Sequence, residues 1–162
     1  MSRRLLIAAA TCLLTALATP AFADLTLFLG VNPNPERRTV KGVSLGTGLL
    51  VVGFEFEYAS TSEDESTRSP SLTTGMGNVL VQTPIPIHGF QFYGTAGGGL
   101  YREVLHETDH HQTSFGSNIG AGTKVTLTGP LRLRFDYRLF NLRGDALYSR
   151  VHRFYAGVNL AF

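Results

Sequence analysis

Phe154-Tyr155-Ala156-Gly157-Val158-Asn159-Leu160-Ala161-Phe162 closes the sequence. Phe154, Ala156, Val158, Leu160 and Phe162 share one face of a strand and Tyr155, Gly157 and Asn159 the other, because strand side chains alternate. A strand with so apolar a face is either sealed in a core or turned to lipid. A closed barrel in a membrane does the second, and it pairs the last strand with the first so that no edge is left. The stretch points to a transmembrane β-barrel.

The start of the chain agrees. Met1-Ser2-Arg3-Arg4 is positive, Leu5 to Ala18 is apolar, and Ala21-Phe22-Ala23 is an A-x-A cleavage site, so residues 1–23 read as a secretory signal peptide and 24–162 as the barrel. Thr11, Thr15, Thr19 and Pro20 interrupt the apolar stretch before it reaches the roughly 20 residues of a spanning helix. Cys12, the only cysteine, is expected to leave with the leader. Removing Arg3 and Arg4 takes Lys+Arg from 14 to 12 against 12 Asp+Glu, so the mature chain is formally neutral. That balance argues against nucleic acid as a partner, which needs a basic patch or stripe. Without a thiol there is no disulfide framework, and hydrogen bonds and packing must hold the domain.

The chain reads as all-β. Strands are expected near 24–31, 40–47, 49–60, 70–83, 88–105, 114–128, 131–141 and 150–162. The connections alternate in kind. Those around 32–38, 61–68, 106–113 and 142–149 are longer and polar, whereas Gly46-Thr47-Gly48, Pro84 to Ile87 and Gly129-Pro130 are short. An antiparallel up-and-down membrane barrel has this rhythm, with tight turns on the periplasmic side and longer loops outside.

Facing is clearest in the third strand, where Val52, Phe54, Phe56 and Tyr58 oppose Gly53, Glu55 and Glu57. The seventh repeats it, with Leu131, Leu133, Phe135, Tyr137 and Leu139 against Arg132, Arg134, Asp136 and Arg138. In the sixth, Ile119, Ala121, Val125 and Leu127 oppose Gly120, Gly122, Lys124 and Thr126. A soluble barrel around a greasy ligand would put these charges in water; a membrane barrel puts them inside. The apolar last strand, the missing disulfide, the missing capping helix and the loop rhythm favour the membrane form. Its narrow interior is filled by side chains, and Glu55, Glu57, Lys124, Arg132, Arg134, Asp136 and Arg138 are expected to form a lumen ionic network, with Glu103 as a further acid.

On these residues the chain resembles the small eight-stranded outer-membrane barrels of Gram-negative bacteria, the group of the OmpA transmembrane domain and OmpX. The resemblance rests on Ala21-Phe22-Ala23, on Leu131 to Arg138 and on the terminal strand. It implies an outer-membrane location, surrounding outer-membrane lipid, and a terminal assembly signal, matched by Tyr155, Val158, Leu160 and Phe162, read by the barrel-assembly machinery. The chain has no Trp for an interfacial girdle, so Tyr58, Tyr93, Tyr101, Tyr137 and Phe140 are expected to serve. Its loops are shorter than in many adhesive members.

Motifs for chemistry are weak. His106-Glu107-Thr108-Asp109-His110 matches H-E-x-x-H but lies in a polar loop, not on a helix. With His111 it could hold zinc or copper adventitiously at the outer surface. A lipid A deacylase of this fold implies a His-x-Ser pair on one face. Here His111 and Ser114 are three apart and face opposite ways. The palmitoyltransferase type implies a helix before the barrel, where the mature chain here is expected to begin directly in a strand. Gly116 to Lys124 lacks the order of a phosphate loop, and Gly97-Gly98-Gly99 reads as relief of crowding. No catalytic, metal or cofactor residue is assigned. The expected function is a non-enzymatic envelope barrel with a structural or surface-interaction role; a lipid A or phospholipid-modifying enzyme and a soluble periplasmic lipid binder are the alternatives.

Overall fold

A computed structural model describes residues 22–162 except 35, 65, 66 and 107–109. The signal-peptide reading of residues 1–23 lies almost wholly outside the described residues. The described chain forms β1 (Phe22–Asn32), β2 (Arg38–Leu49), β3 (Val52–Thr61), β4 (Ser71–Gln82), β5 (Phe90–Leu105), β6 (His110–Thr128), β7 (Leu131–Leu142) and β8 (Arg150–Ala161). Each strand pairs antiparallel with the next, and β1 pairs with β8 from Asp24↔Ala161 to Val31↔Phe154, so the barrel is closed. Closure satisfies every edge, which lipid requires because it offers no hydrogen bonds.

Period-two patterning decides the two faces. Along β3 exposure alternates, with Phe54 58% and Phe56 57% exposed while Glu55 and Glu57 are buried. Leu29, Leu45, Leu100, Ile119, Phe135, Val158 and Leu160 continue this outward apolar surface around the barrel. A continuous surface of this kind is a solvent liability in water and the ordinary outer face of a membrane barrel. Among the described strands no Asp or Glu faces outward.

Two elements differ from the sequence reading. Gly46-Thr47-Gly48 is not the β2–β3 turn; the turn falls at Leu50-Val51, with Leu50 at φ 40°. The two glycines lie within β2 on the inner face, where a Cβ at Gly46 would sit 2.7 Å from the Asp24 carboxylate. Glycine marks turns and crowded lumen positions alike, and sequence does not separate the two uses. Second, β6 begins at His110, extending the β5–β6 hairpin beyond the expected Ser114.

The lumen is layered. At its outer end Leu72, Met76, Tyr101, Phe140, Leu142 and Val151 form an apolar cluster, and Ala146 and Tyr148 of the β7–β8 loop pack against it. The Tyr101 hydroxyl donates to the Arg143 carbonyl at 2.5 Å, and Glu103 accepts from the Leu147 amide at 3.0 Å, so this loop is tied across the mouth. Nearer the middle, Phe28 stacks on Tyr155 at 4.1 Å and 19° beside Val40 and Ala59.

Candidate functional site

The middle of the lumen is ionic. β3 contributes Glu55 and Glu57 on one inner face, and β7, on the opposite wall, contributes Arg134, Asp136 and Arg138 at every second position. Arg134 is wholly buried and donates through both Nη atoms to Glu55 and through Nη2 to Asp136 at 2.9 Å. Arg138, equally buried, reaches Glu55 at 2.7 Å, Glu57 at 3.1 Å and Asp136 at 3.1 Å. Each guanidinium therefore bridges the two walls. Its planar fork suits two carboxylates at once, which a lysine at the same position would not.

Neutral groups complete the shell. Ser44 donates to Glu55 at 3.0 Å, and the Tyr93 hydroxyl donates to Asp136 while accepting from Arg134 Nε at 2.7 Å. Tyr155 donates to Glu57 at 3.2 Å and accepts from Arg138 at the same distance. The Arg134 guanidinium also lies 4.9 Å from the Tyr93 ring centroid. The close approach of β6 depends on Gly122, where a Cβ would stand 2.3 Å from the Tyr93 hydroxyl oxygen and 2.4 Å from the Phe135 carbonyl.

Arg153 of β8 is a residue of this layer that sequence reading missed. It is completely buried, donates to Glu57 at 3.0 Å and Thr74 at 3.2 Å, and stacks 4.3 Å from the Phe140 ring. Extending the Tyr155–Asn159 alternation one step back would have placed it inside. With it the layer holds Arg134, Arg138 and Arg153 against Glu55, Glu57 and Asp136.

The other expected members lie elsewhere. Lys124 is buried nearer the periplasmic end and pairs with Asp24, an acid the sequence reading did not use. Arg132 meets no carboxylate among the described residues; its polar contact is Gln91 Oε1 at 3.5 Å, in the wall of a ≈ 230 Å³ cavity at that mouth. Glu103 sits in the outer half, under the β7–β8 loop.

The aromatic girdle needs correction. Tyr58 and Tyr137 face outward, but Tyr93, Tyr101 and Phe140 face the lumen and are buried. The phenols find buried partners there, and Phe140 carries the Arg153 cation, so an inward aromatic is stable wherever the lumen offers charge. Of the residues read from sequence as an assembly signal, Val158, Leu160 and Phe162 face outward and Tyr155 inward. The Phe162 backbone pairs with Ala23 at 2.8 and 2.9 Å.

Outside the barrel, Glu63 of the β3–β4 loop accepts from the His106 amide at 2.8 Å and meets its Nδ1 at 2.5 Å. These hydrogen bonds hold the Glu63 carboxyl below its ordinary pKa. The H-E-x-x-H reading falls on Glu107, Thr108 and Asp109, outside the described residues. His106 and His111 meet edge to face at 6.4 Å, and no group of three or more His, Cys, Asp or Glu side chains gathers as a metal set among the described residues. His111 faces outward and Ser114 inward, on opposite faces of β6.

These features agree with what the chain is similar to. A family model described as "Outer membrane protein beta-barrel domain" matches residues 9–162. No curated protein matches the sequence. The N-terminal β-barrel domain of Pseudomonas aeruginosa OprF superposes with a TM-score of 0.67 at 19% identity, covering 87% of this chain and 97% of that one. Neisserial surface protein A, NspA, gives 0.67 at 18%, covering 88% and 96%. The outer membrane enzyme PagL gives 0.54 at 10%, covering 85% and 98%. At such identities the likenesses speak for the fold alone, whereas the family match spans the described barrel entirely. The chain belongs to the outer membrane protein β-barrel domain family, and its place is the outer membrane.

Proposed function

We propose that the protein is a non-enzymatic envelope component, a closed structural barrel that presents its outer loops at the cell surface. The observation that carries this reading is the filled lumen. A three-against-three ionic layer braces opposite walls, and an apolar cluster with the β7–β8 loop closes the outer mouth. Buried charges at this density are stable only when paired and fixed, so the interior is unsuited to a stream of ions. An enzymatic reading needs a nucleophile and base together at the outer leaflet, and His111 and Ser114 stand on opposite faces.

The test reconstitutes the folded protein in planar bilayers and, separately, in vesicles containing lipid A and phospholipid. The proposal expects no stepwise conductance and no deacylated or acyl-transferred product. Regular single-channel steps, or turnover that survives purification to homogeneity, would refute it.

A further inference from the structure

Packing stops short at the periplasmic end of the lumen. A cavity of ≈ 230 Å³ lies there, with Gly48 and Gly53 on one wall and Gln91, Lys124 and Arg132 on the other. Gly48 and Gly53 stand opposite each other in the β2–β3 pair. A Cβ at Gly48 would meet its neighbours at 3.5 Å or more and one at Gly53 at 3.3 Å or more, so both positions have room for a side chain. Gly46 and Gly122 have none, because a Cβ there would stand 2.7 and 2.3 Å from other side chains. Protein interiors are close-packed and a void costs stability, yet here the space stays open where a larger residue would fit.

Two of the lining residues carry buried polar atoms with no hydrogen-bond partner among the described residues, the Nε–H donor of Arg132 and the Oδ1 acceptor of Asp24. Asp24 Oδ1 lies beside Gly46, itself part of the wall. Lys124 links the two, since it pairs with Asp24 through Oδ2 and stands in register beside Gln91, the contact of Arg132. Asp24 and Arg132 are two strand spacings and two residues apart, about 12 Å between backbones, and both side chains enter the same cavity. The charges around it do not balance. Lys124 is matched by Asp24 and Glu55 by Arg134 and Arg138, whereas Arg132 meets no carboxylate among the described residues. One negative charge completes the set, and a second would sit against Asp24 and Glu55.

We infer that this cavity binds a compact monocarboxylate with an N–H donor beside the carboxylate, the chemistry shared by an N-acyl amino acid and a peptide C-terminus. The carboxylate takes the side-on fork of Arg132, Nε and Nη2, and the N–H donates to Asp24 Oδ1. An ammonium in place of the neutral N–H would meet Lys124, which disfavours a zwitterion. The volume is below the roughly 300–1,000 Å³ of pockets for drug-sized ligands, so one residue fills it and any preceding chain leaves through the mouth. The inference adds a ligand to the structural reading above. It rests on the inward facing of the charged residues and not on the lack of conductance or turnover, so the two tests fail independently.

The test is a chemical-shift titration of the ¹⁵N-labelled full-length barrel in a zwitterionic detergent at fixed ionic strength. The probes are N-acetylalanine, N-acetylalanine amide, acetate and inorganic phosphate, and only protein that shows the heat-dependent gel shift is titrated. The inference expects saturable shifts at the periplasmic mouth with N-acetylalanine. The amide lacks the charge, acetate lacks the N–H and phosphate carries excess charge, so each should bind about tenfold more weakly. Arg132→Gln should weaken N-acetylalanine about tenfold and Gly48→Leu should block it by filling the space, whereas Arg102→Ser, an outward cation on β5, should leave it unchanged. N-acetyl-trialanine bound as tightly as N-acetylalanine would mark a chain end as the ligand, and its exclusion a free small acid. Equal binding of the amide, shifts that never saturate, or wild-type binding by Arg132→Gln or by Gly48→Leu would overturn the inference.

Discussion

Replacing Glu55 by alanine is the sharpest perturbation of the lumen. The carboxylate accepts from Arg134 through both Nη atoms, from Arg138 at 2.7 Å and from Ser44 at 3.0 Å. Without it three guanidiniums face Glu57 and Asp136 alone, and Arg134 keeps Asp136 and Tyr93 as its strong partners. Truncating one partner of a buried ion pair costs about 3–5 kcal/mol, because the remaining charge stays desolvated. Glu55→Gln keeps an acceptor for each arginine and loses the charge, so it should cost less, about 1–3 kcal/mol. Adding Arg134→Met to Glu55→Ala removes the stranded cation, and the double variant should cost less than the sum of the two by about 1–3 kcal/mol. The assay is urea unfolding in phospholipid vesicles, followed by far-UV circular dichroism and by the heat-shifted gel band. Glu55→Ala within about 1 kcal/mol of wild type, or Glu55→Gln costing more than Glu55→Ala, would refute the reasoning.

Further outcomes follow from other contacts. Arg132→Gln should change stability by no more than about 0.5 kcal/mol in the same assay, because among the described residues its guanidinium has only Gln91 at 3.5 Å; a loss as large as that of Arg134→Gln would contradict this. Gly122→Val should cost about 3 kcal/mol or more by forcing Tyr93 away from Arg134 and Asp136 and by pressing on the Phe135 carbonyl of β7, and Tyr93→Phe in that background should then cost little more. The Glu63 carboxyl is lowered by its hydrogen bonds from His106. Their stabilisation is therefore present above the ordinary carboxylate pKa of about 4.3 and is lost only as pH falls through the lowered value. A ¹³C titration should place the Glu63 midpoint lower in the wild type than in His106→Ala, and coincident midpoints would dispose of the loop contact. Deleting Phe162, whose ring is 69% exposed and makes no lumen contact, should reduce heat-shifting barrel in the outer-membrane fraction through lost recognition during assembly. Wild-type levels would remove that role.

Much of the architecture was legible because strand facing is local. Alternation over Val52–Tyr58 and Leu131–Leu139 assigns each side chain to a face from its immediate neighbours, and the loop rhythm orders the eight strands. The pairings within the lumen were not legible. Glu55 meets Arg134 and Arg138 from 79 and 83 residues away, across the barrel, a separation that only closure brings together. The inward facing of Tyr93 and Tyr101 is not legible because β5 alternates poorly in sequence. Its outward Arg102 and run of glycines hide the parity that puts Gln91, Tyr93 and Glu103 inside. Asp24 escaped notice because it stands at the expected leader boundary, far in sequence from Lys124.

The account rests on charged residues facing a closed lumen while the apolar face meets lipid, and spin-label accessibility along β3 tests this most directly. Single labels at Gly53, Phe54, Phe56, Tyr58, Ala59 and Thr61 of the reconstituted barrel, in a Cys12→Ser background, would be measured against oxygen and against a water-soluble nickel chelate. Collisions with oxygen should be high at Phe54, Phe56 and Tyr58 and low at Gly53, Ala59 and Thr61, with the chelate excluded from both sets. High chelate accessibility at Phe54, Phe56 and Tyr58 would place that face in water and contradict the membrane barrel.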